Sequence, residues 1–267
     1  MATRSYCCFK GRGELSLAEA VAYATRAIGL QKVGNASAIE VNVTETTEIV
    51  KDYTTPAGGT HCNFREINEL QGKFTLHCHT PKNLIRGLYG AGADEGIASA
   101  VVVAEPQVLH LGSIIPLNHL IDESVAPVVK AAGAATVYVA GTDYIVTPGG
   151  SIEHVATGSI PAPTVTAGTG APNIEVSYTR KVQSQIQLAA AISPSQFLHF
   201  DGFNVAATPQ YAMQFDLFKV RLSTGATLQL VGDNLSKLDF TFTAERDFAR
   251  PVGTLSNPLS QYGTLKL

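Results

Sequence analysis

The sequence predicts a mainly β protein of antiparallel sheets, and three observations predict it. Several segments alternate apolar and polar residues with period two, the pattern of a half-buried strand. Gly, Pro, Asn and Asp punctuate the chain between those segments. Helical periodicity is rare, with one clear instance.

The elements follow in chain order. Phe9-Lys10-Gly11-Arg12-Gly13-Glu14-Leu15 reads as a short opening strand with a glycine pair. The Ala-rich stretch Leu17–Ala27 reads as a helix, although Glu14-Leu15-Ser16-Leu17 also reads as a strand that continues. Val33-Gly34-Asn35-Ala36-Ser37 is a turn feeding the strand in which Ile39, Val41 and Val43 alternate with Glu40, Asn42 and Thr44. A polar hairpin runs from Lys51-Asp52-Tyr53 through Gly58-Gly59 to Arg65; locally it is an ordinary loop tip. In the returning strand Phe74, Leu76 and Cys78 alternate with Lys73, Thr75, His77 and His79. The helix is Pro81–Tyr89: Thr80 can cap it, Pro81 suits its first turn, and Gly90 can end it. Leu84, Ile85, Leu88 and Tyr89 make its apolar stripe.

From Ala98 to about Ala191 the texture changes. Valine clusters are broken by Gly141-Thr142-Asp143, Pro148-Gly149-Gly150 and a Pro- and Gly-rich loop from Gly158 to Pro172. Short strands at turn spacing predict a small β-sandwich or an elaborated sheet, with that loop as an exposed excursion. In the closing strand Leu238, Phe240, Phe242 and Ala244 alternate with Asp239, Thr241, Thr243 and Glu245. Each alternating segment has one apolar face and one Thr-rich wet face, as when an antiparallel sheet packs on one side and meets water on the other.

Composition excludes several classes. With 45% hydrophobic and 15% charged residues over 267 positions, the chain can bury a real core and is no disordered tail. A formal charge of -3 gives no basic footprint for gripping nucleic acid. No apolar run is long enough for a membrane span, and the start lacks a secretory signal. The four cysteines, Cys7, Cys8, Cys62 and Cys78, form no disulfide framework, which fits a reducing cytoplasm.

Catalytic chemistry finds no foothold. Gly11-Arg12-Gly13 lacks the third glycine of a dinucleotide site, and no phosphate-loop Gly-Lys-Ser/Thr occurs. The serines lack a Gly-x-Ser-x-Gly elbow, and nothing selects an acid–base pair of carboxylates. His77-Cys78-His79 places two imidazoles on one strand face, but only His61-Cys62 offers a nearby third ligand. No catalytic residue, cofactor or metal site is expected.

Several of these phrases, in this order, resemble the major tail (tail tube) proteins of long-tailed bacteriophages with non-contractile tails. They are the opening Phe9–Leu15 strand, the Val33–Ser37 turn, the acidic strand Ile39–Glu48, the long hairpin, and Gly72-Lys73-Phe74-Thr75-Leu76. The helix phrase Asn83-Leu84-Ile85-Arg86-Gly87-Leu88-Tyr89-Gly90 follows, and Leu228-Gln229-Leu230-Val231-Gly232-Asp233 precedes the closing strand. Tyr144–Val146 through Val176–Tyr178 is similar to β insertions of phage tail proteins.

The resemblance implies two packed antiparallel β-sheets, sandwich- or barrel-like, with a flanking helix. It places a tail tube domain at 1–97 and 195–267 and a β-rich insertion at 98–194, outside the tube wall. It implies hexameric rings that stack into a hollow conduit for DNA ejection, in the tail of a virion assembled in the host bacterial cytoplasm. The lumen would be lined by Glu40, Asn42, Thr44, Thr46, Asp239, Thr241, Thr243 and Glu245, and the rings would stack through Lys51, Asp52, Tyr53, Gly58, Gly59 and Arg65. Partners would be further copies of the chain, a tape-measure protein, and tail terminator and distal tail proteins. DNA would pass without specific binding. Another virion ring protein (distal tail, connector or baseplate) is the alternative, and a β-rich carbohydrate-binding or hydrolase module stands further off.

Overall fold

Among the described residues, every strand in the sheets pairs antiparallel with its neighbours. The computed structural model describes residues 8–19, 29–54, 56–90, 96–166, 169–206, 209–224, 228–254, 256–257 and 259–267. The first strands are β1 (Gly11–Glu19), β2 (Gln31–Lys32), β3 (Ala36–Lys51) and β4 (Thr60–Leu76), followed by helix α1 (Pro81–Gly87). Next come β5 (Ala100–Gln107), β6 (Ile114–Ile115), β7 (Val128–Ala131), β8 (Tyr144–Val146) and β9 (Ile152–His154). Then follow β10 (Val165–Thr166), β11 (Thr169–Gly170) and β12 (Ile174–Arg180). The last are β13 (Gln196–Asn204), β14 (Tyr211–Thr224), β15 (Leu238–Ala244) and β16 (Gly263–Lys266). No helix among the described residues is long and apolar enough to cross a membrane. Of the Leu17–Ala27 stretch, Leu17–Glu19 continue β1 and the remainder lies outside the described residues.

The chain divides into two units, Met1–Gly92 with Ile186–Leu267, and Ala93–Gln185. In the first, one sheet runs β2-β1-β13-β14-β15-β4-β3, with β16 added beside β14. Its two ends are one piece of chain. Gln31 and Lys32 pair with Leu17 and Ser16 of β1, whereas Ala36 onward pairs with β4. The change of partner takes place at Val33–Asn35: Val33 N–H still donates to Leu15 O at 3.1 Å, and Asn35 O already accepts from His77 N–H at 2.9 Å. The sheet therefore closes on itself as a small barrel, which leaves few open edges. The two expected layers are opposite walls of this single sheet.

The barrel interior is one apolar cluster that includes Leu15, Leu17, Val33, Phe74, Leu76, Leu198, Val220, Leu222, Phe240 and Phe242. A bulge in β14 keeps both of its halves facing inward. Leu198 faces Leu217, but Gln196 faces Val220, so β14 carries one extra residue there. The extra position turns Phe218 outward onto Phe197, under the guanidinium of Arg250. Gly72 is fixed by close approach: a Cβ there would meet the Phe242 ring at 2.2 Å and Glu40 O at 2.3 Å.

Helix α1 braces the closure. Thr80 Oγ1 accepts from Asn83 N–H at 3.3 Å, and Pro81 fills the first turn, where no N–H is needed. The helix is two residues shorter than its expected span. Tyr89 takes a left-handed φ of 49°, so Gly90 N–H returns to Ile85 O at 2.9 Å. Its buried face runs through Asn83 and Gly87, with Leu84 packed on the barrel core. Asn83 Nδ2 donates to Val33 O at 2.8 Å and Cys78 O at 2.9 Å, pinning the point where the strand changes partner. The chain leaves this unit and returns to it at one place: Ala189 and Ala191 N–H donate to Leu88 O and Tyr89 O, each at 3.1 Å.

The second unit holds two three-stranded sheets, β5-β12-β7 and β6-β9-β8, around Leu109, Val129, Tyr144, Ile152, Ile174 and Val176. Buried Tyr178 donates its hydroxyl to Glu105 Oε2 at 2.6 Å. Burial, with Glu105 beside it, raises that phenol well above its ordinary range. The start of the 158–172 stretch, at Ser159 and Ile160, is less free than its composition suggests. Ile160 is buried, and Ser159 donates through N–H and Oγ to Asp143 Oδ1, each at 2.8 Å.

Asp143 also accepts Val139 N–H at 2.8 Å, and these hydrogen bonds hold its carboxyl below the usual range. Its pKa is lower folded than unfolded, so its contribution is fully present above about pH 4. That contribution is lost as pH falls through the depressed folded value. Amide protection at Val139 and Ser159 in the full chain should drop over that acid range, and Asp143→Asn should weaken it at neutral pH and flatten the acid response. Equal acid sensitivity in both proteins would remove Asp143 from the account.

Candidate functional site

Strand register gathers most of the predicted wet residues on one outer face of the barrel. In β15, Asp239, Thr241 and Thr243 face Thr75, Lys73 and Gln71 of β4. Those β4 residues in turn face Ser37, Glu40 and Asn42 of β3. Thr241 and Thr243 also face Ser223 and Arg221 of β14. Glu245 continues the β15 alternation one step past the strand. Thr44, opposite Glu69, and Thr46, opposite Glu66, carry the same face of β3 outward beyond the barrel.

This face is ion-paired. Lys73 Nζ lies 3.2 Å from Glu40, and Lys219 and Arg221 lie 2.9 and 3.0 Å from the two oxygens of Glu245. Lys237 is 3.8 Å from Asp239, which also accepts from Thr75 Oγ1 at 2.5 Å. Gln71 donates to Glu69. Over the barrel Glu40, Glu69, Asp239 and Glu245 thus stand against Lys73, Lys219, Arg221 and Lys237, and Glu66 adds one further acid on the arm. The sequence reading found the acids of β3 and β15 but missed the cations of β14, which lie in another part of the chain and meet them only through register.

The hairpin residues lie on a projecting arm. β15 covers β4 only from Leu70 to Leu76. Beyond that point β3 and β4 pair with each other alone, out to Lys51 and Thr60. The arm bears Ile67 and Ile49 on one face and Phe64 and Val50 on the other, all exposed. The expectation that Val41 and Val43 face a core fails: both are exposed, although β15 still runs beside their β4 partners Gly72 and Leu70. At the tip, Asp52 Oδ1 accepts from Thr54 N–H and Oγ1 at 2.7 and 2.6 Å. Gly58 and Gly59 take φ of 64° and 139°, and Tyr53 is 86% exposed. Arg65 sits down the shaft, 3.8 Å from Glu45. Thr55 lies outside the described residues.

Other polar clusters offer less. His77-Cys78-His79 follow the end of β4. His77 Nε2 is 2.9 Å from Ser37 Oγ, and Cys78 Sγ accepts Asn35 N–H at 3.3 Å. A His–Asp pair absent from the sequence reading lies on the outer face of β13 and β14, with His199 Nδ1 2.5 Å from Asp216 Oδ1. Ser16 is next in that row. The residue types are those of a nucleophilic triad, but no hydrogen bond among the described residues joins the Ser16 hydroxyl to the imidazole, and Ser16 is 9% exposed.

What the arrangement offers is surface: an ion-paired, Thr-rich face beside an apolar-studded arm. No curated protein matches the sequence. Residues 8–266 match the sequence profile described as protein of unknown function UCP028589, and the chain belongs to that family.

Proposed function

We infer that this chain is a structural, non-catalytic subunit of a phage tail tube, closing into rings that stack into a hollow conduit for DNA. The observation that carries the reading is the arm. An isolated two-stranded hairpin is marginal in water, and exposed apolar side chains on both of its faces call for a partner surface. A head-to-tail assembly supplies one in every repeat. The ion-paired outer face supports a lumen role for Glu40, Asn42, Thr241, Thr243 and their neighbours. A basic lining would release counterions and hold phosphates, whereas ion-paired and hydroxyl side chains keep their water and give little grip. The resemblance supplies the hexameric ring, the virion tail as location, and the tape-measure, terminator and distal tail proteins as partners. Unit Ala93–Gln185 is then an outer-wall decoration.

Concentrated protein should form rings with a central hole, or tubes, in negative-stain images, with matching fast-sedimenting species. Rings that never stack would favour a connector or distal tail role. Strictly monomeric sedimentation at every salt and protein concentration would overturn the assembly reading.

A further inference from the structure

The barrel unit carries an apolar loop without a seat and an apolar groove without an occupant. The loop joins β14 to β15. Its Leu230, Val231 and Leu235 are 83%, 90% and 93% exposed, so these three side chains have no seat on their own chain. Three such aliphatics in six residues on a water-exposed loop mark a contact surface. The groove, of about 860 Å³, opens where β1, β14 and β16 pass the start of β3. Phe9, Ile39, Val41, Met213, Phe215 and Leu265 give it apolar walls. Phe9, Val41 and Leu265 are themselves largely exposed.

Charge selects the pairing. Arg12 is the only charged residue among those lining the groove, and Asp233 is the only one between Leu228 and Ser236. Both are exposed, and neither has an ion-pair partner among the described residues. The groove is an apolar bed with a single cation; the loop is an apolar ridge with a single anion.

We propose that the Leu230–Leu235 segment of this loop in one copy seats in the Phe9–Phe215–Leu265 groove of a second copy, with Asp233 paired to Arg12. This deepens the assembly reading and rests on it. The contact is heterologous, since loop and groove are different surfaces, so it repeats from copy to copy instead of closing a two-fold dimer. Burial of the three aliphatics supplies the attraction, and the ion pair sets register and orientation.

Charge exchange between two variants tests it. Arg12→Asp sets carboxylate against carboxylate, and Asp233→Arg sets guanidinium against guanidinium, in contacts between identical copies. Each variant alone should need at least about tenfold more protein to assemble, because like charges facing each other at an interface are strongly unfavourable. An equimolar mixture should recover assembly, since each variant's loop now meets an opposite charge in the other's groove. A contact within one chain cannot be rescued by mixing. Both positions are exposed, and unchanged circular dichroism and melting would show that folding is intact. Variants that assemble like the wild type, or that fail singly and still fail when mixed, overturn this contact and leave the tube reading standing. A wild type that never assembles overturns both.

Discussion

Replacing Phe240 by alanine will cost the barrel about 3–5 kcal/mol. The Phe240 side chain is 1% exposed and stacks on Phe74 with ring centroids 5.0 Å apart, while Phe242 lies 6.1 Å from the same ring. Removing the ring forfeits its transfer free energy and leaves a hole between walls that cannot close in. Phe74 and Phe242 sit on strands locked by continuous pairing from Leu238–Leu76 to Ala244–Leu70. Urea unfolding should show a much lower midpoint with an unchanged slope. Thr241→Ala, one residue along on the outer face, should stay within about 0.5 kcal/mol. A Phe240→Ala loss below about 1 kcal/mol would mean that the core is less tightly packed than the stacking indicates.

Shortening the arm separates folding from assembly. Removing residues 45–68 and joining Thr44 to Glu69 through Asn-Gly keeps the last pair before the shaft and supplies a two-residue hairpin turn. The deleted stretch is exposed on both faces and gives nothing to the barrel core. The melting temperature should hardly move, yet rings or tubes should be absent at every concentration where the full chain forms them. Normal assembly of the shortened protein would remove the arm from the contacts. Unfolding would show that the shaft belongs to the barrel after all.

Legibility of the fold followed the range of the interactions. The β15 pattern from Leu238 to Glu245 was fully readable, because a strand with one buried face writes its environment in its own period. Val41 and Val43 carry the same pattern and remain exposed, although β15 still runs beside their β4 partners Gly72 and Leu70. How far the core extends under a strand is not recorded in that strand's own period. Val33-Gly34-Asn35 read as a turn and is instead the place where one strand changes partner. Gly34 serves there with a φ of 88° and the Cys78 sulfur so close that a Cβ would meet it at 2.6 Å. Lys73 stands on the polar face of β4, and register sets its partner there, Glu40 of β3. His199 and Asp216 meet only through the β13–β14 register, so nothing local could pair them.

The side-by-side departure and return of the chain at Leu88–Tyr89 and Ala189–Ala191 sets an order of events during synthesis. Ala93–Gln185 is contiguous and emerges from the ribosome complete, free to fold on its own contacts. The barrel cannot close then, because β1 waits for β13, whose residues are made almost two hundred positions later. Once the intervening unit is compact, its own two ends meet, with Ile97 and Gln183 hydrogen-bonded to each other. The entropic cost of joining distant strands falls from that of a loop of about a hundred flexible residues to that of two short connections. Translation thus acts as a timer: a nascent chain exposes its arm early, but the barrel that must anchor that arm exists only after the C-terminal strands are released.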